Sequence, residues 1–185
     1  MRCGFMRRGD QAARMVELMQ LSDYLIDQGG KDWVELLRPW CPPLAASFTV
    51  WLVNRFGDVF AVYEDGSVHM LDVGRGTVTR FADDREDFAT KIDEEDNADD
   101  WLLVSLVDQC VAAGLTLKQD QCYSYTIPPI FKQSKYEVEN VYPLSLAEHY
   151  SVLADMHRQI KDLPDGSRVK VVVTNAPEKQ RKKGT

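Results

Sequence analysis

The chain has 185 residues, of which 44% are hydrophobic and 10% aromatic, and its formal net charge is -7. This length suits one domain with a sizeable core, and the apolar content excludes an intrinsically disordered protein. No apolar run approaches the roughly 18 residues that a membrane span needs. The basic N-terminus is not followed by the apolar core of a signal peptide, so we expect a cytoplasmic protein.

The negative charge is concentrated in the middle of the chain. The first 15 residues and the last ten each hold four Lys or Arg and one acid, which leaves 14 basic and 27 acidic residues in 16–175, a net charge of -13. Such a body repels nucleic acid and attracts basic proteins. We therefore expect a basic protein partner, and neither nucleic-acid nor membrane binding.

The periodic pattern begins only near Val16, which divides the chain into three parts. Residues 1–15 are predicted to be a disordered or over-extended start. Residues 16–175 are predicted to form a single domain. The charged stretch 176–185 is predicted to be a disordered basic tail.

The first half of this domain reads as helix followed by a meander. Helical spacing over 16–25 ends at Gly29-Gly30, and Asp32 then caps a short helix that Pro42-Pro43 stops. Strands are predicted at about 48–55, 58–64, 68–73 and 76–82. The turn Glu64-Asp65-Gly66-Ser67 supports the hairpin between the middle two strands, because Asp-Gly readily supplies the positive φ that a tight turn needs.

Helices and strands alternate irregularly in the second half. Asp83-Asp84 opens a helix through about Ile92, and Asn97 to Asp100 cap a stronger helix, Trp101–Ala113, which we expect at the centre of the core. The remaining predicted elements are a strand or strand pair over 115–126 that ends at Pro128-Pro129, a short edge segment over 140–144, a helix over 146–163 and a final strand over 168–173.

These elements together predict an α+β fold. Several helices would pack on an antiparallel, strongly twisted sheet, which consists of the meander at about 48–82 and the later strands. Long helices without regular β-α-β alternation disfavour a parallel sheet. The edge strands of so short a meander could support a homodimer.

No catalytic or metal-binding motif emerges from the residues. Four cysteines are scattered without a Cys-x-x-Cys pair, which indicates reduced, mostly buried thiols. His149 and His157 lie eight residues apart on a predicted helix, whereas a helical zinc pair usually lies four apart. We expect no metal, no cofactor and no enzyme activity. A small hydrolase built around His149, Asp155 and His157 is the less favoured alternative.

An acidic segment over 83–100 is the other distinctive feature, with ten acids against Arg85 and Lys91. One interpretation is a solvated helix-loop-helix with acidic caps. The other is a docking surface for a basic protein, since opposed charge speeds encounter and selects partners. The residues assigned to partner binding on this basis are Asp93, Glu94, Glu95, Asp96, Asp99 and Asp100.

An ordered set of short stretches carries a family resemblance over about residues 33 to 166. These stretches are Trp33–Leu37, Asn54-Arg-Phe-Gly-Asp58, Glu64–Asp72, Asp100-Trp-Leu102, Gln121–Tyr125 followed by Pro128-Pro129, Glu139-Asn-Val141, His157–Ile160 and Asp162–Gly166. Together they resemble the C-terminal domain of the Tdi-type immunity proteins of bacterial type VI secretion. The signature residues are Gly57, Asp58, Asp65, Gly66, Trp101, Pro128 and Pro129. The chain departs from the family pattern after Pro129, where Phe131 to Ser134 replace glycines.

The resemblance implies an intracellular protein that binds and silences a DNase effector delivered between bacteria. An acidic body fits this role, because a nuclease groove is basic where it holds phosphates. A general interaction or regulatory module without a toxin partner is the first alternative. A nuclease or secretion gene beside this one would favour the immunity function.

Overall fold

The computed structural model describes residues 21–45 and 47–170. Residues 21–23 are helical, but this helix ends before the predicted Leu25, which instead forms an isolated antiparallel bridge with Asn54. Residues 16–20 of that helix, the start at 1–15 and the tail at 176–185 lie outside the described residues.

The first labelled helix is short and packs on the last one. Helix α1 (Trp33–Leu37) begins at Asp32, whose carboxylate accepts a hydrogen bond from the Glu35 amide at 3.0 Å, and a 3-10 turn, Arg38–Trp40, follows. The buried Trp40 indole donates to the Tyr150 carbonyl at 3.1 Å. This bond ties the N-terminal elements to a residue 110 positions later in the chain.

The predicted meander is confirmed as a four-stranded antiparallel sheet. Its strands, in spatial order, are β1 (Phe48–Val53), β2 (Val59–Tyr63), β3 (Val68–Asp72) and β4 (Thr77–Ala82). The β2–β3 turn forms as predicted, since Gly66 has a φ of 87° and the Asp65 carboxylate accepts the Ser67 amide at 3.0 Å. Asp65 and Gly66 therefore stabilise a hairpin.

Three helices follow the sheet. Helix α2 (Arg85–Lys91) begins at Asp84, whose carboxylate accepts the Glu86 and Asp87 amides at 2.9 and 2.8 Å. The predicted single helix Trp101–Ala113 is wrong. The chain instead forms α3 (Asn97–Leu102) and α4 (Val104–Ala112), which are separated at Leu103 by a left-handed residue with φ 56°.

Two side chains explain this break. In a continuous helix the Ser105 amide would donate to the Trp101 carbonyl, four residues earlier. Here the Trp101 carbonyl accepts the Asn54 side-chain amide at 3.1 Å, and the Ser105 amide donates to the Asp99 carboxylate at 2.6 Å. Both partners of the missing helical bond are thus satisfied elsewhere, and periodicity alone could not reveal this.

The sequence predicts that the last strands join the meander, but they form a two-stranded sheet of their own. Strand β5 (Gln121–Tyr125) pairs antiparallel with β6 (Val141–Ser145), so the predicted strand over 115–126 begins six residues late. Helix α5 (Leu146–Ile160) begins at Ser145, whose hydroxyl accepts the Glu148 amide at 3.3 Å. The strand predicted at 168–173 is not formed over 168–170, and 171–173 lie outside the described residues.

The core is centred on α5, not on α4 as predicted. The largest buried cluster joins Tyr150 and Leu153 of α5 to the sheet and to the Trp40 region. Helix α4 contributes to a smaller cluster with Phe56, and its Val111 is 62% exposed. The architecture is nevertheless the predicted α+β class, with an antiparallel sheet packed by helices.

Candidate partner-binding site

Four of the six predicted binding acids lie together on one exposed turn. Asp93, Glu94, Glu95 and Asp96 connect α2 to α3, and all four are exposed. Glu95 has a positive φ of 47°, so the chain turns sharply here. We refer to Asp93–Asp96 as the acidic turn. Its carboxylates form no ion pair with any residue that the structure describes.

The other two acids lie further along α3 and differ from each other. Asp99 is half-buried and its carboxylate accepts the Ser105 amide at the break between α3 and α4. Asp100 is exposed. Asp99 therefore has a structural role, which a charge pattern does not distinguish from a binding role.

A groove of about 720 Å³ lies beside α3. One wall is formed by the ends of α3 and α4, including Asp99, Asp100 and Trp101, and the opposite wall by β3 and β4. Carboxylates, threonine hydroxyls and aromatic rings all line the groove. Such a lining can bind a partner that presents both polar and apolar groups. The remaining sheet-side residues that define it are Met70, Asp72, Thr77, Thr79 and Phe81.

The wall is held by an aromatic cluster around Trp101. Its ring lies 4.7 Å from that of Phe81 and 5.0 Å from that of Phe88, centroid to centroid. These contacts fix α3 against β4 and α2, since aromatic pairs at such distances contribute about 0.5–1.5 kcal/mol each beyond area burial. Trp101, one of the predicted signature residues, thus positions the preceding Asp99 and Asp100 at the groove.

Arg75 lies at the end of the groove in the turn that joins β3 to β4. Its guanidinium pairs with Asp72 at 2.9 Å and lies 5.8 Å from the centroid of the Tyr136 ring. The flanking glycines permit close packing, because a Cβ added at Gly74 would lie 2.7 Å from Pro129 and one at Gly76 would lie 2.6 Å from His157. The second proline of the Pro128-Pro129 pair therefore packs against this turn.

A buried network centred on Asn54 supports the groove from behind. The Asn54 side chain accepts the amides of Phe56 and Asp58 at 3.0 and 2.9 Å, and it donates to the Asp58 carboxylate at 2.9 Å and to the Trp101 carbonyl. Asp58 in turn accepts the Val73 amide at 2.8 Å. One loop thereby joins the sheet, the Arg75 turn and the α3–α4 break.

Asp58 is unusual because its carboxyl group is almost completely buried. Burial raises its pKa above the ordinary value, and the nearby carboxylate of Asp72 raises it further. The hydrogen bonds from Asn54 and Val73 act in the opposite direction. Removal from water dominates here, because it penalises the charged form of a carboxyl group.

Gly57, which the sequence predicts to be a signature residue, lies at the centre of this loop. Its φ is 81°, and a Cβ there would lie 3.0 Å from the His149 ring. The Tyr150 hydroxyl donates to the Gly57 carbonyl at 2.8 Å. The position therefore requires glycine both for backbone conformation and for space.

The three residues of the alternative hydrolase site have separate partners. His149 is 1% exposed, and its Nδ1 lies 3.1 Å from Ser124 Oγ; burial lowers its pKa to about 4. His157 Nε2 lies 3.1 Å from the Val73 carbonyl oxygen, and Asp155 bonds to residues of its own helix. Within 21–45 and 47–170, no group of three or more His, Cys, Asp or Glu side chains could hold a metal ion.

The cysteines that the structure describes are all free. Cys110 and Cys122 are buried as expected, and burial raises the pKa of Cys110 to about 11. Cys41 is exposed, so two of the three cysteines in the described residues are buried. Cys3 lies outside the described residues. None of the helices in the described ranges is both long and apolar enough to cross a membrane.

Sequence reasoning missed two parts of this site. The network around Asn54 has a local signal, an Asn followed four residues later by Asp in a loop between apolar strands. The second part is Arg75, which the sequence pattern places only in a turn between two glycines. Its contact with Tyr136 joins residues 61 positions apart, which no local pattern contains.

Comparison with known proteins agrees with the resemblance seen in the sequence. The model of the family described as T6SS immunity protein Tdi1, C-terminal, matches residues 82–157. The matched segment begins at the end of β4, contains the acidic turn and Trp101, and ends within α5. No significant match was found among curated proteins. Residues 82–157 are thus similar to the C-terminal domain of the Tdi1-type immunity proteins of type VI secretion.

Proposed function

We propose that this protein is a cytoplasmic, non-enzymatic immunity protein that binds a basic DNase effector of type VI secretion and neutralises it. The observation that carries the proposal is the family match over 82–157, which contains all six predicted binding acids. An immunity protein of this family implies an effector partner. The nuclease character of that effector comes from the resemblance and from charge.

The acidic turn supports the charge part of the proposal. Four adjacent carboxylates are exposed there without a cationic partner in the described residues. A nuclease binds phosphates through Lys and Arg, so its nucleic-acid groove offers the complementary surface. The acidic turn would then compete with DNA for the same cations.

The groove beside α3 offers aromatic side chains that an effector residue can pack against, which exposed charges alone do not provide. Protein interfaces gain affinity from aromatic and apolar anchors in pockets more than from exposed charge pairs. Trp101 and Phe81 line the groove next to Asp100. We propose that an effector side chain inserts between these residues while the acidic turn contacts the surrounding cations.

A binding and rescue experiment tests this proposal. The partner is captured from the native host, identified by mass spectrometry and co-produced with the wild-type chain and its variants. The test variant reverses all four acids of the acidic turn to Lys and leaves Asp99 unchanged, because Asp99 holds the break between α3 and α4. The control variant reverses four exposed acids elsewhere: Glu64, Glu137, Glu139 and Asp162.

The proposal requires that the test variant loses effector binding and protection while the control retains both. Because both variants change the net charge equally, a general charge effect would weaken them equally. Circular dichroism and thermal unfolding establish that each is folded. A folded test variant that protects as well as wild type would refute the placement, and a captured partner without nuclease activity would refute the DNase part.

A further inference from the structure

A second cleft, of opposite character, lies at the end of α5. Its walls are the loop 127–133 and the segment 165–169, and its volume is about 880 Å³. A smaller hollow of about 330 Å³ adjoins it and shares Ile130, Phe131 and Val169. We call the two together the basic cleft. No part of it belongs to the groove beside α3 except Arg75, which lines both.

The basic cleft concentrates exposed apolar side chains. Nine large apolar side chains are exposed in the described part of the chain, and four of them line this cleft. An apolar patch of this kind, surrounded by polar groups, marks an interaction site on a soluble protein. The four residues are Ile127, Ile130, Leu163 and Val169, which are 39, 41, 45 and 37% exposed.

The charged side chains that line the cleft are predominantly cationic, although the chain as a whole is acidic. Lys132, Lys161 and Arg168 line it, and Asp165 is the acid among the lining residues. None of these three cations has an acidic partner within 4.0 Å among the described residues. Most other arginines in the described residues form an ion pair with a carboxylate, as Arg158 does with Asp155 at 3.1 Å.

Each wall is held in shape by its own hydrogen bonds. On the loop side, the Ser134 hydroxyl donates to the Ile127 carbonyl at 2.7 Å. On the other side, the Ser167 amide and hydroxyl donate to the Pro164 carbonyl at 3.1 and 2.6 Å. Each wall therefore keeps its local shape without a partner, which lowers the ordering cost of binding.

We propose that the basic cleft binds an acidic, amphipathic peptide segment of a partner protein. Apolar side chains of the segment would contact Ile130 and Phe131 in the floor, and its carboxylates would pair with Lys132 and Arg168. The unpaired cations select negative charge, and the exposed aliphatic residues select apolar side chains. A concave shape between two walls favours a peptide over a membrane surface. This proposal does not depend on the effector assigned to the acidic turn.

Two labelled peptides with the same apolar residues test the charge preference. One carries Glu at its polar positions and the other carries Lys, and fluorescence anisotropy measures the affinity of each for the full chain. The Glu peptide should bind at least about tenfold more tightly than the Lys peptide, a difference of about 1.4 kcal/mol. Equal affinities, or no binding of the Glu peptide at about 1 mM, would overturn the proposal.

Matched variants locate the site. The double variant Lys132→Glu with Arg168→Glu should lose the preference for the Glu peptide, whereas Lys118→Glu with Arg38→Glu, outside the cleft, should retain it. Ile130→Ser should weaken binding, whereas Val34→Ser should not, although Val34 is 82% exposed. Variants of the cleft that bind like wild type would contradict the placement.

Two further measurements distinguish peptide binding at the basic cleft from effector binding at the acidic turn and from membrane binding. Reversal of the acidic turn should leave the affinity for the Glu peptide undiminished, so failure of the effector assignment is distinguishable from failure here. Anionic phospholipid vesicles provide the second arm, measured by co-sedimentation. If wild type binds the vesicles but not the Glu peptide, and the Lys132→Glu, Arg168→Glu variant does not bind the vesicles, the peptide proposal is wrong. The ligand of the basic cleft would then be a membrane surface.

Discussion

Truncation of Asn54 to alanine tests whether the buried network holds the site together. The side chain makes four hydrogen bonds, and the residue is completely buried. Each bond contributes about 1 kcal/mol, and the buried partners left without one add a desolvation cost. We expect Asn54→Ala to lower the free energy of unfolding by about 4 kcal/mol, because Asp58 and the Trp101 carbonyl lose a donor inside the protein.

Asn140 is the matched control for this prediction. Its side chain also makes four hydrogen bonds, to Ile127, Ser134 and Lys135, but the residue is only half-buried. Water can replace the lost partners there, so Asn140→Ala should cost about 2 kcal/mol. Urea unfolding followed by tryptophan fluorescence measures both. Equal costs, or a cost of less than about 1 kcal/mol for Asn54→Ala, would refute the reasoning.

Three further predictions concern individual residues. As the pH falls from about 7 to about 5, His149 should remove about 2 kcal/mol of stability, because its pKa is about 4 when folded and about 6.5 when unfolded. The difference in unfolding free energy between wild type and His149→Gln at both pH values measures this term, and a constant difference would contradict it. Gly57→Ala should cost about 2–4 kcal/mol, and Gly66→Ala, at a similar φ but with no atom within 4 Å, only about 1–2 kcal/mol. Equal melting temperatures for the two glycine variants would contradict the close contact. Asp99→Ala should lower the free energy of unfolding by about 1 kcal/mol and Asp100→Ala should not, by the same urea assay, because Asp99 accepts the Ser105 amide at the α3–α4 break. The reverse order would contradict this structural role of Asp99.

The sequence predicts those elements whose signals are local. The turn at Asp65-Gly66 requires only its own residues, so the hairpin lies where the pattern places it. The caps Asp32 and Asp84 likewise act within three residues. The acidic turn is exposed because four adjacent carboxylates are costly to bury.

The sequence fails where distant residues compete with local propensity. Apolar periodicity predicts one helix through Leu103, but Asn54 and Asp99 bond to the two groups that would have continued it. Helix α5, not α4, occupies the centre of the core, because Tyr150 and its neighbours contact both the sheet and the Trp40 region. These contacts join residues that are about a hundred positions apart in the chain. They depend on how the elements pack in three dimensions, which the local spacing of apolar residues does not reveal.

The most direct test of the proposed function is the affinity of the captured effector for the acidic-turn variant, measured beside the control with reversed Glu64, Glu137, Glu139 and Asp162. Loss of about tenfold or more in affinity, confined to the acidic-turn variant, is the predicted result. The same affinity for wild type and the folded acidic-turn variant would contradict the account.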